Sequence, residues 1–117
     1  MNEQNIKRSI SALKKILQKR FGSELELYLF GSVARNSYEP DSDIDILVLI
    51  PGKVDTSLKE DIIDLAYDVE LEYDVVFGII VRSKEFWISE KAAAMPFHQN
   101  VQRAVLKLEL LIFLPHG

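Results

Sequence analysis

Two aspartates at the start of an apolar run place the strongest constraint on how this chain folds. Asp43 and Asp45 open residues 43–50, whose other members are the aliphatic and β-branched residues typical of a buried strand. Successive strand side chains point to opposite faces, so Asp43 and Asp45 share one face, with Cα atoms about 7 Å apart, while Ile44 and Ile46 face the core. Ionised carboxylates in an apolar setting are costly unless a positive charge neutralises them, and we expect a metal ion to do so.

Helical and strand periodicities alternate along the 117 residues. The predicted elements, in chain order, are helix 5–20, strand 25–30, helical turns 32–35, strand 44–50, helix 58–69, strand 73–81 and short helices at 85–94 and 97–103. Thr56 or Ser57, with Glu60 behind, resembles a capping box. Residues 104–114 fit a strand and a helix equally. We therefore expect an α/β (α+β) fold, a small mixed sheet of three to four strands flanked by helices, in a single domain over 1–117 with the tail 104–117 unassigned.

Composition excludes several classes of protein. The absence of cysteine excludes disulfides and thiolate metal sites and is typical of a reducing compartment, so we expect the cytoplasm. No stretch approaches the roughly 20 apolar residues of a membrane span, and residues 1–21 lack the apolar core of a secretion signal. A net charge of −4 argues against a nucleic-acid binder. The first helix is nevertheless basic, which fits either a solvated face or a surface for phosphates or an acidic partner; its cations are Lys7, Arg8, Lys14, Lys15, Lys19 and Arg20.

A third carboxylate, Asp74, lies between Tyr73 and Val75 in the next predicted strand. If the two strands are neighbours, Asp43, Asp45 and Asp74 converge on one patch. Their mutual repulsion would raise their pKa values unless divalent cations held them ionised. Oxygen ligands without His or Cys favour Mg²⁺, with Mn²⁺ as an alternative, over zinc. Two such ions, roughly 3.5 to 4 Å apart, can clamp the attacking and leaving oxygens of a phosphoryl displacement.

Gly31 and Ser32, upstream of the aspartates, add an element that suits phosphate binding. A glycine at a strand end, followed by a helix N-terminus, lets backbone N–H groups approach a polyphosphate closely. The Ser32 hydroxyl can donate to the same phosphates.

The same residues admit other interpretations. A calcium EF-hand loop opened by Asp41 does not fit, because its sixth position is Ile46 rather than Gly and its twelfth is Gly52 rather than Glu. A solvated edge face for the paired aspartates stays open, as does a surface position at the start of a strand for Asp74. Trp87 is expected in the core beneath a short helix, with base stacking as the alternative.

The order of strand, Gly-Ser, short helix, loop and Asp-x-Asp strand resembles the nucleotidyltransferase superfamily that includes DNA polymerase beta, and within it the minimal (MNT-type) nucleotidyltransferases. The resemblance rests on Leu-Phe-Gly-Ser-Val-Ala-Arg at 29–35 and Ser-Asp-Ile-Asp-Ile-Leu-Val at 42–48, with Asp74 in support. It covers about residues 5–100 and implies the nucleotidyltransferase fold. The implied site residues are Asp43, Asp45 and Asp74 for metal binding and catalysis, and Gly31, Ser32 and Arg35 for nucleotide binding.

Two details qualify this resemblance. Arg35 matches the family's Ala-Arg step and either contacts phosphate or forms an ion pair that orders the loop. Asn36 stands where relatives often have glycine, and the chain after Arg103 does not resemble the usual ending of the family.

Family members of this size are often paired with a small helical protein of the HEPN type as a toxin and its antitoxin, and some transfer AMP onto a tyrosine of that partner. The resemblance therefore implies metal-dependent transfer of AMP from ATP onto a hydroxyl of a HEPN-type partner, with release of pyrophosphate. Two alternatives stay open. The chain could be a non-catalytic antitoxin that neutralises its partner by occlusion, or it could act on a small molecule, with a partner chain or a homodimer completing the acceptor site.

Overall fold

A computed structural model describes residues 3–31, 43–89 and 106–107. The elements are α1 (Glu3–Phe21), β1 (Glu26–Phe30), β2 (Ile44–Ile50), α2 (Thr56–Tyr73), β3 (Phe77–Ser83), α3 (Lys84–Trp87) and β4 (Leu106–Lys107). The four strands form one sheet in the order β3-β2-β1-β4, in which β2 and β3 are parallel and the other pairs antiparallel. This mixed sheet with flanking helices confirms the predicted fold class.

Helices α1 and α2 cover one face of the sheet, where they form the main core with alternate residues of the strands. In β2 this inward set is Ile44, Ile46, Val48 and Ile50, as the alternation predicted. The apolar stripe predicted for the first helix is buried in the same core and consists of Ile6, Ile10, Leu13 and Leu17.

The opposite face of the sheet carries a second, smaller core. Leu47 and Leu49 of β2 pack there with Trp87 of α3, and Tyr28, Phe30 and Ile80 pack partly buried around them. Trp87 is buried, which confirms the prediction that it closes the core rather than stacking on a base. This second core covers one end of that face.

The start of α2 differs from the predicted capping box. Asp55, rather than Thr56 or Ser57, is the N-cap residue, with extended backbone angles, and its Oδ1 accepts a hydrogen bond of 2.8 Å from the N–H of Leu58. Asp55 precedes the first helical residue, so its carboxylate reaches an N–H group that has no partner inside the helix.

Removing this cap should weaken the fold measurably. We expect Asp55→Ala to lower the free energy of unfolding by about 1 kcal/mol, because a helix N–H loses its acceptor. Asp55→Asn should retain most of the stability. Denaturant unfolding of both variants measures the difference, with Ser57→Ala, at the position of the rejected cap, as the control that should change stability by less than about 0.5 kcal/mol. An equal loss in Ser57→Ala would contradict this assignment.

The boundary between α2 and β3 also differs from the prediction. The sequence predicted a strand from Tyr73, but the helix continues through Tyr73 and the strand begins at Phe77. Two contacts hold the extra turn: Tyr73 packs against the main core, and its C=O accepts a hydrogen bond of 3.3 Å from the Asn5 side chain of α1. Asp74 ends the helix in the left-handed region, at φ 55° and ψ 51°, and its N–H donates to the C=O of Glu70.

A side-chain hydrogen bond joins the turn after β2 to α3. The Glu85 carboxylate accepts a bond of 3.0 Å from the N–H of Gly52. The backbone N–H groups of Glu85 itself and of Gly52 hold the pKa of this carboxyl below its ordinary value.

Several predictions of secondary structure concern other parts of the chain. The helical turns at 32–35, the helix at 97–103 and the second half of that at 85–94 lie outside the described residues, while α3 includes the start of the last of these. In the tail, Leu106–Lys107 pairs with β1 as a short strand, and the remainder lies outside the described residues. Among the described residues, no helix combines the length and apolar character that crossing a bilayer requires.

Candidate active site

The sheet topology gathers the candidate residues at one edge. Because β1 is antiparallel to β2 and β3 is parallel to it, the end of β1 meets the beginnings of β2 and β3. Asp45 lies opposite Phe30 of β1 and opposite Gly78 of β3. Gly31 directly follows Phe30 at this edge.

Asp43 and Asp45 lie on the sheet face opposite α1 and α2. Asp45 alternates with Ile44 and Ile46, which are buried in the main core, and is itself half-buried, while Asp43 is exposed. The predicted arrangement of the pair is therefore confirmed. Although β2 lies between β1 and β3, Asp43 is exposed, so the alternative of a solvated face for the pair stays open.

Two glycines make room for the Asp45 carboxylate. A Cβ atom added to Gly31 would overlap Asp45 Oδ2, and one added to Gly78 would lie 2.8 Å from Asp45 Oδ1 and 3.9 Å from Asp43 Cβ. Gly31 also has a φ of +75°, a conformation that side chains with a Cβ rarely adopt. The carboxylate thus lies between the backbones of β1 and β3, and neither neighbouring position tolerates a larger residue without displacing it.

Gly78 was missed at the level of sequence. A single glycine inside the otherwise apolar run Val-Val-Phe-Gly-Ile-Ile is a known sign of a close approach to the backbone. The glycine alone does not show which group lies close to it. The register of β2 against β3 identifies that group as Asp45.

The third predicted carboxylate occupies a different position from the one expected. Asp74 is exposed at the end of α2, three residues before β3, so its placement inside a strand was wrong. Val75 points into the main core beside it. Within the described residues, no three or more His, Cys, Asp or Glu side chains are grouped so as to hold a metal ion, and the predicted trio is not assembled.

Comparison with known proteins identifies the family. The family model described as nucleotidyltransferase domain matches residues 10–102, which include the three strands β1, β2 and β3 that meet at the aspartate edge. The chain belongs to the nucleotidyltransferase domain family. The resemblance predicted from the sequence is confirmed, and the protein is a nucleotidyltransferase enzyme.

Relatives of this nucleotidyltransferase carry names of the same activity. It is 41% identical over 102 residues to a Methanocaldococcus jannaschii protein named "Putative protein adenylyltransferase MJ0604", a match that covers 86% of this chain and 92% of that protein. It is also 39% identical over 59 residues to a Campylobacter jejuni spectinomycin 9-adenylyltransferase, covering 50% of this chain and 22% of that enzyme.

Two solved toxin-antitoxin structures share the fold. The first, with AMP-PNP, superposes with a TM-score of 0.53 at 21% identity and covers 87% of this chain and 71% of its own. The second, a mutant of the toxin-antitoxin MntA-HpeT, has a TM-score of 0.55 at 21% identity. The match covers 82% of this chain and 71% of the solved chain. At this identity the likeness concerns the fold.

The donor set of the nucleotidyltransferase suits a hard divalent cation. Mg²⁺ is commonly held by one or two carboxylates together with substrate phosphates, rather than by a cage made entirely of protein groups. Two carboxylates on one face, one of them half-buried beside two glycines and the other exposed, fit that mode without a third protein ligand. Ser32 and Arg35, the other predicted nucleotide-binding residues, lie outside the described residues.

Proposed function

We propose that this nucleotidyltransferase transfers AMP from ATP onto a hydroxyl group of a protein partner and releases pyrophosphate. The observation that carries the proposal is the Asp45 carboxylate held between Gly31 and Gly78, with Asp43 on the same face. A protein acceptor is supported by the M. jannaschii relative, which matches this chain over most of both lengths and is named a putative protein adenylyltransferase.

In this proposal Asp43 and Asp45 hold Mg²⁺, for which Mn²⁺ can substitute, against the triphosphate. When bound, the cation neutralises phosphate charge as the reaction proceeds. Because Gly31 and Gly78 carry no Cβ, the Asp45 carboxylate occupies its place at the sheet edge before the substrate arrives, so little reorganisation is needed. Gly31, Ser32 and Arg35 are our candidates for binding the triphosphate, because Gly31 directly follows β1 at the same sheet edge as Asp45 and the family resemblance implies this role for all three.

The reaction itself requires positioning and one proton transfer. The acceptor oxygen forms a bond to the α-phosphorus, the bond from that phosphorus to the α–β bridging oxygen breaks, and pyrophosphate leaves with the electron pair. We assign the acceptor proton to Asp74 as a general base outside the metal site, since the segment after α2 reaches the start of β2, where the N–H of Ile44 donates a hydrogen bond of 2.8 Å to the C=O of Val76.

Two substitutions separate the proposed catalytic role of Asp74, accepting the proton, from its structural role as the C-cap of α2. Asp74→Gly should raise the free energy of unfolding by up to about 1 kcal/mol, because glycine adopts the left-handed region at lower cost. Asp74→Asn keeps an amide that tolerates this conformation and removes the charge. We expect both variants to lose AMP transfer by about a hundredfold in initial-rate measurements, the effect of a lost general base. Transfer at the normal rate in both would leave Asp74 with the capping role alone.

We also propose a HEPN-type helical protein as the acceptor partner. Support comes from the two solved structures of the same fold, both of which are toxin-antitoxin structures, one with AMP-PNP. A small molecule is the competing acceptor, and the C. jejuni enzyme is the relative that favours it.

The deciding experiment measures where the α-phosphate and the γ-phosphate of ATP go during the reaction. The native protein is isolated with whatever co-purifies and incubated with Mg²⁺ and ATP labelled at either the α- or the γ-phosphate. We expect α-label on the co-purified protein, no γ-label, and loss of labelling with a chelator. γ-Label on protein would indicate phosphoryl transfer and contradict the proposal. Pyrophosphate release with the α-label recovered in a small molecule would move the acceptor to that class.

A further inference from the structure

Helix α2 exposes a row of large apolar side chains. Ile63, Tyr67 and Leu71 are 49%, 57% and 65% exposed, far more than residues of their type usually are. Their spacing of four residues places them on one side of the helix, away from its buried residues Ile62, Ala66 and Val69. The row is about 12 Å long, from the rise of 1.5 Å per residue. We call it the apolar row.

A row of carboxylates runs directly beside the apolar row. It consists of Glu60, Asp64, Asp68 and Glu72, again spaced by four and all exposed. No described Lys or Arg forms an ion pair with any of them. Like charges four residues apart destabilise a helix, so this acidic row weakens α2 in the isolated chain. A cationic neighbour would relieve that repulsion.

We propose that the apolar row and the acidic row together bind an amphipathic helix of a partner protein, with apolar residues on the first row and Lys or Arg along the second. Side chains spaced by four form the ridges that pack into the grooves of a facing helix. Three apolar anchors match about two to three turns of such a helix. The acidic row then sets the direction and register of the partner through complementary charge.

A second copy of this chain suits the surface less well. In an antiparallel two-fold pairing of two α2 helices, the symmetry keeps each row on its own side, so the acidic row of one copy would face the acidic row of the other. Eight carboxylates would then meet without cations between them. A basic helix of another protein avoids this repulsion.

The position of the surface relates it to the aspartate edge. Leu71 lies one turn before Asp74, where α2 ends at the edge that carries Asp43 and Asp45. A helix bound along α2 therefore runs toward the site of the proposed transfer. The binding itself requires neither ATP nor catalysis, so it can be tested separately from the proposed function.

A synthetic peptide provides the probe. It is an 18-residue amphipathic helix with leucine on one face and lysine along the flank, and its match has glutamate in place of lysine. Fluorescence anisotropy with the full chain should show binding of the lysine peptide and none of the glutamate peptide. We expect Ile63→Ser or Leu71→Ser to weaken binding by about tenfold, the size expected for the loss of one buried apolar anchor. Ile88→Ser removes a side chain that is 80% exposed and off the row, and should change nothing.

Charge reversal tests the acidic row in the same assay. Asp68→Lys should weaken binding of the lysine peptide severalfold more than Glu24→Lys, which changes net charge equally on an exposed residue before β1. Circular dichroism verifies that each variant folds. Equal binding of both peptides, or equal effects of Leu71→Ser and Ile88→Ser, would overturn the proposal. So would a dimer of the wild-type chain in light scattering that Leu71→Ser dissociates, since a second copy would then occupy the rows.

Discussion

Asp45→Asn should reduce AMP transfer by at least about a hundredfold while leaving the fold intact. Asparagine has nearly the same shape, so the side chain still fits between Gly31 and Gly78, but it lacks the negative charge that holds a divalent cation. A loss of this size is typical when one preorganised electrostatic contact to a reacting group is removed. Asp43→Asn should behave alike, because it removes the second carboxylate of the same face. Initial rates of α-label transfer at saturating Mg²⁺ measure both effects.

Two controls make this result interpretable. Glu24→Gln removes an exposed carboxylate far from the aspartate edge and should transfer AMP at the normal rate. Circular dichroism should show the wild-type secondary structure in Asp43→Asn and Asp45→Asn, because asparagine matches aspartate in shape and neither variant leaves a cavity. Full transfer by both aspartate variants would contradict a metal site at this edge.

The same variants address the possibility that the chain silences a partner by occlusion. If occlusion suffices, Asp45→Asn should still neutralise a co-expressed toxin in cells although its transfer is lost. If neutralisation requires nucleotidyl transfer, the variant should fail. Variants of the apolar row, such as Leu71→Ser, test the converse, because they weaken the proposed binding of a partner and leave the site carboxylates in place.

Local sequence predicted the structure correctly wherever the spacing of apolar residues fitted only a strand or only a helix. The bounds of β2 agree with the predicted 44–50, because every residue except Asp45 is apolar and Pro51 stops the run. The shared face of Asp43 and Asp45 also followed from sequence, because the two-residue period of a strand leaves no freedom in the direction of its side chains. These rigid local rules predicted the centre of the candidate site.

Features that depend on distant contacts were not predicted. Tyr73-Asp74-Val75-Val76 reads as a strand because of its β-branched and aromatic residues, yet packing of Tyr73 on the main core and its hydrogen bond to Asn5 extend the helix. Gly78 is recognisable as a site residue only when the register of β3 against β2 is known. Both errors have one cause: the deciding partner lies far along the chain.

Gly78→Ala should reduce AMP transfer by about tenfold or more with only a small change in stability. The added methyl group would lie 2.8 Å from Asp45 Oδ1, closer than real Cβ contacts, so the carboxylate must move away from its position at the sheet edge. Shifts of this kind in a supporting position commonly reduce activity ten- to a hundredfold. Gly31→Ala should have the larger effect, because it crowds the other carboxylate oxygen and also forces a Cβ into the left-handed region at a cost of about 1 to 2 kcal/mol.

Two further glycines separate backbone strain from crowding of the carboxylate. Gly22 and Gly52 have φ values of +104° and +88°, but nothing lies within 4 Å of a Cβ added to either. Gly22→Ala and Gly52→Ala should therefore lower the free energy of unfolding by about 1 kcal/mol and leave AMP transfer unchanged. If Gly78→Ala transferred AMP as fast as these two variants, the position of the Asp45 carboxylate would not limit the reaction. Loss of transfer in Gly78→Ala without comparable destabilisation would instead assign the effect to that carboxylate.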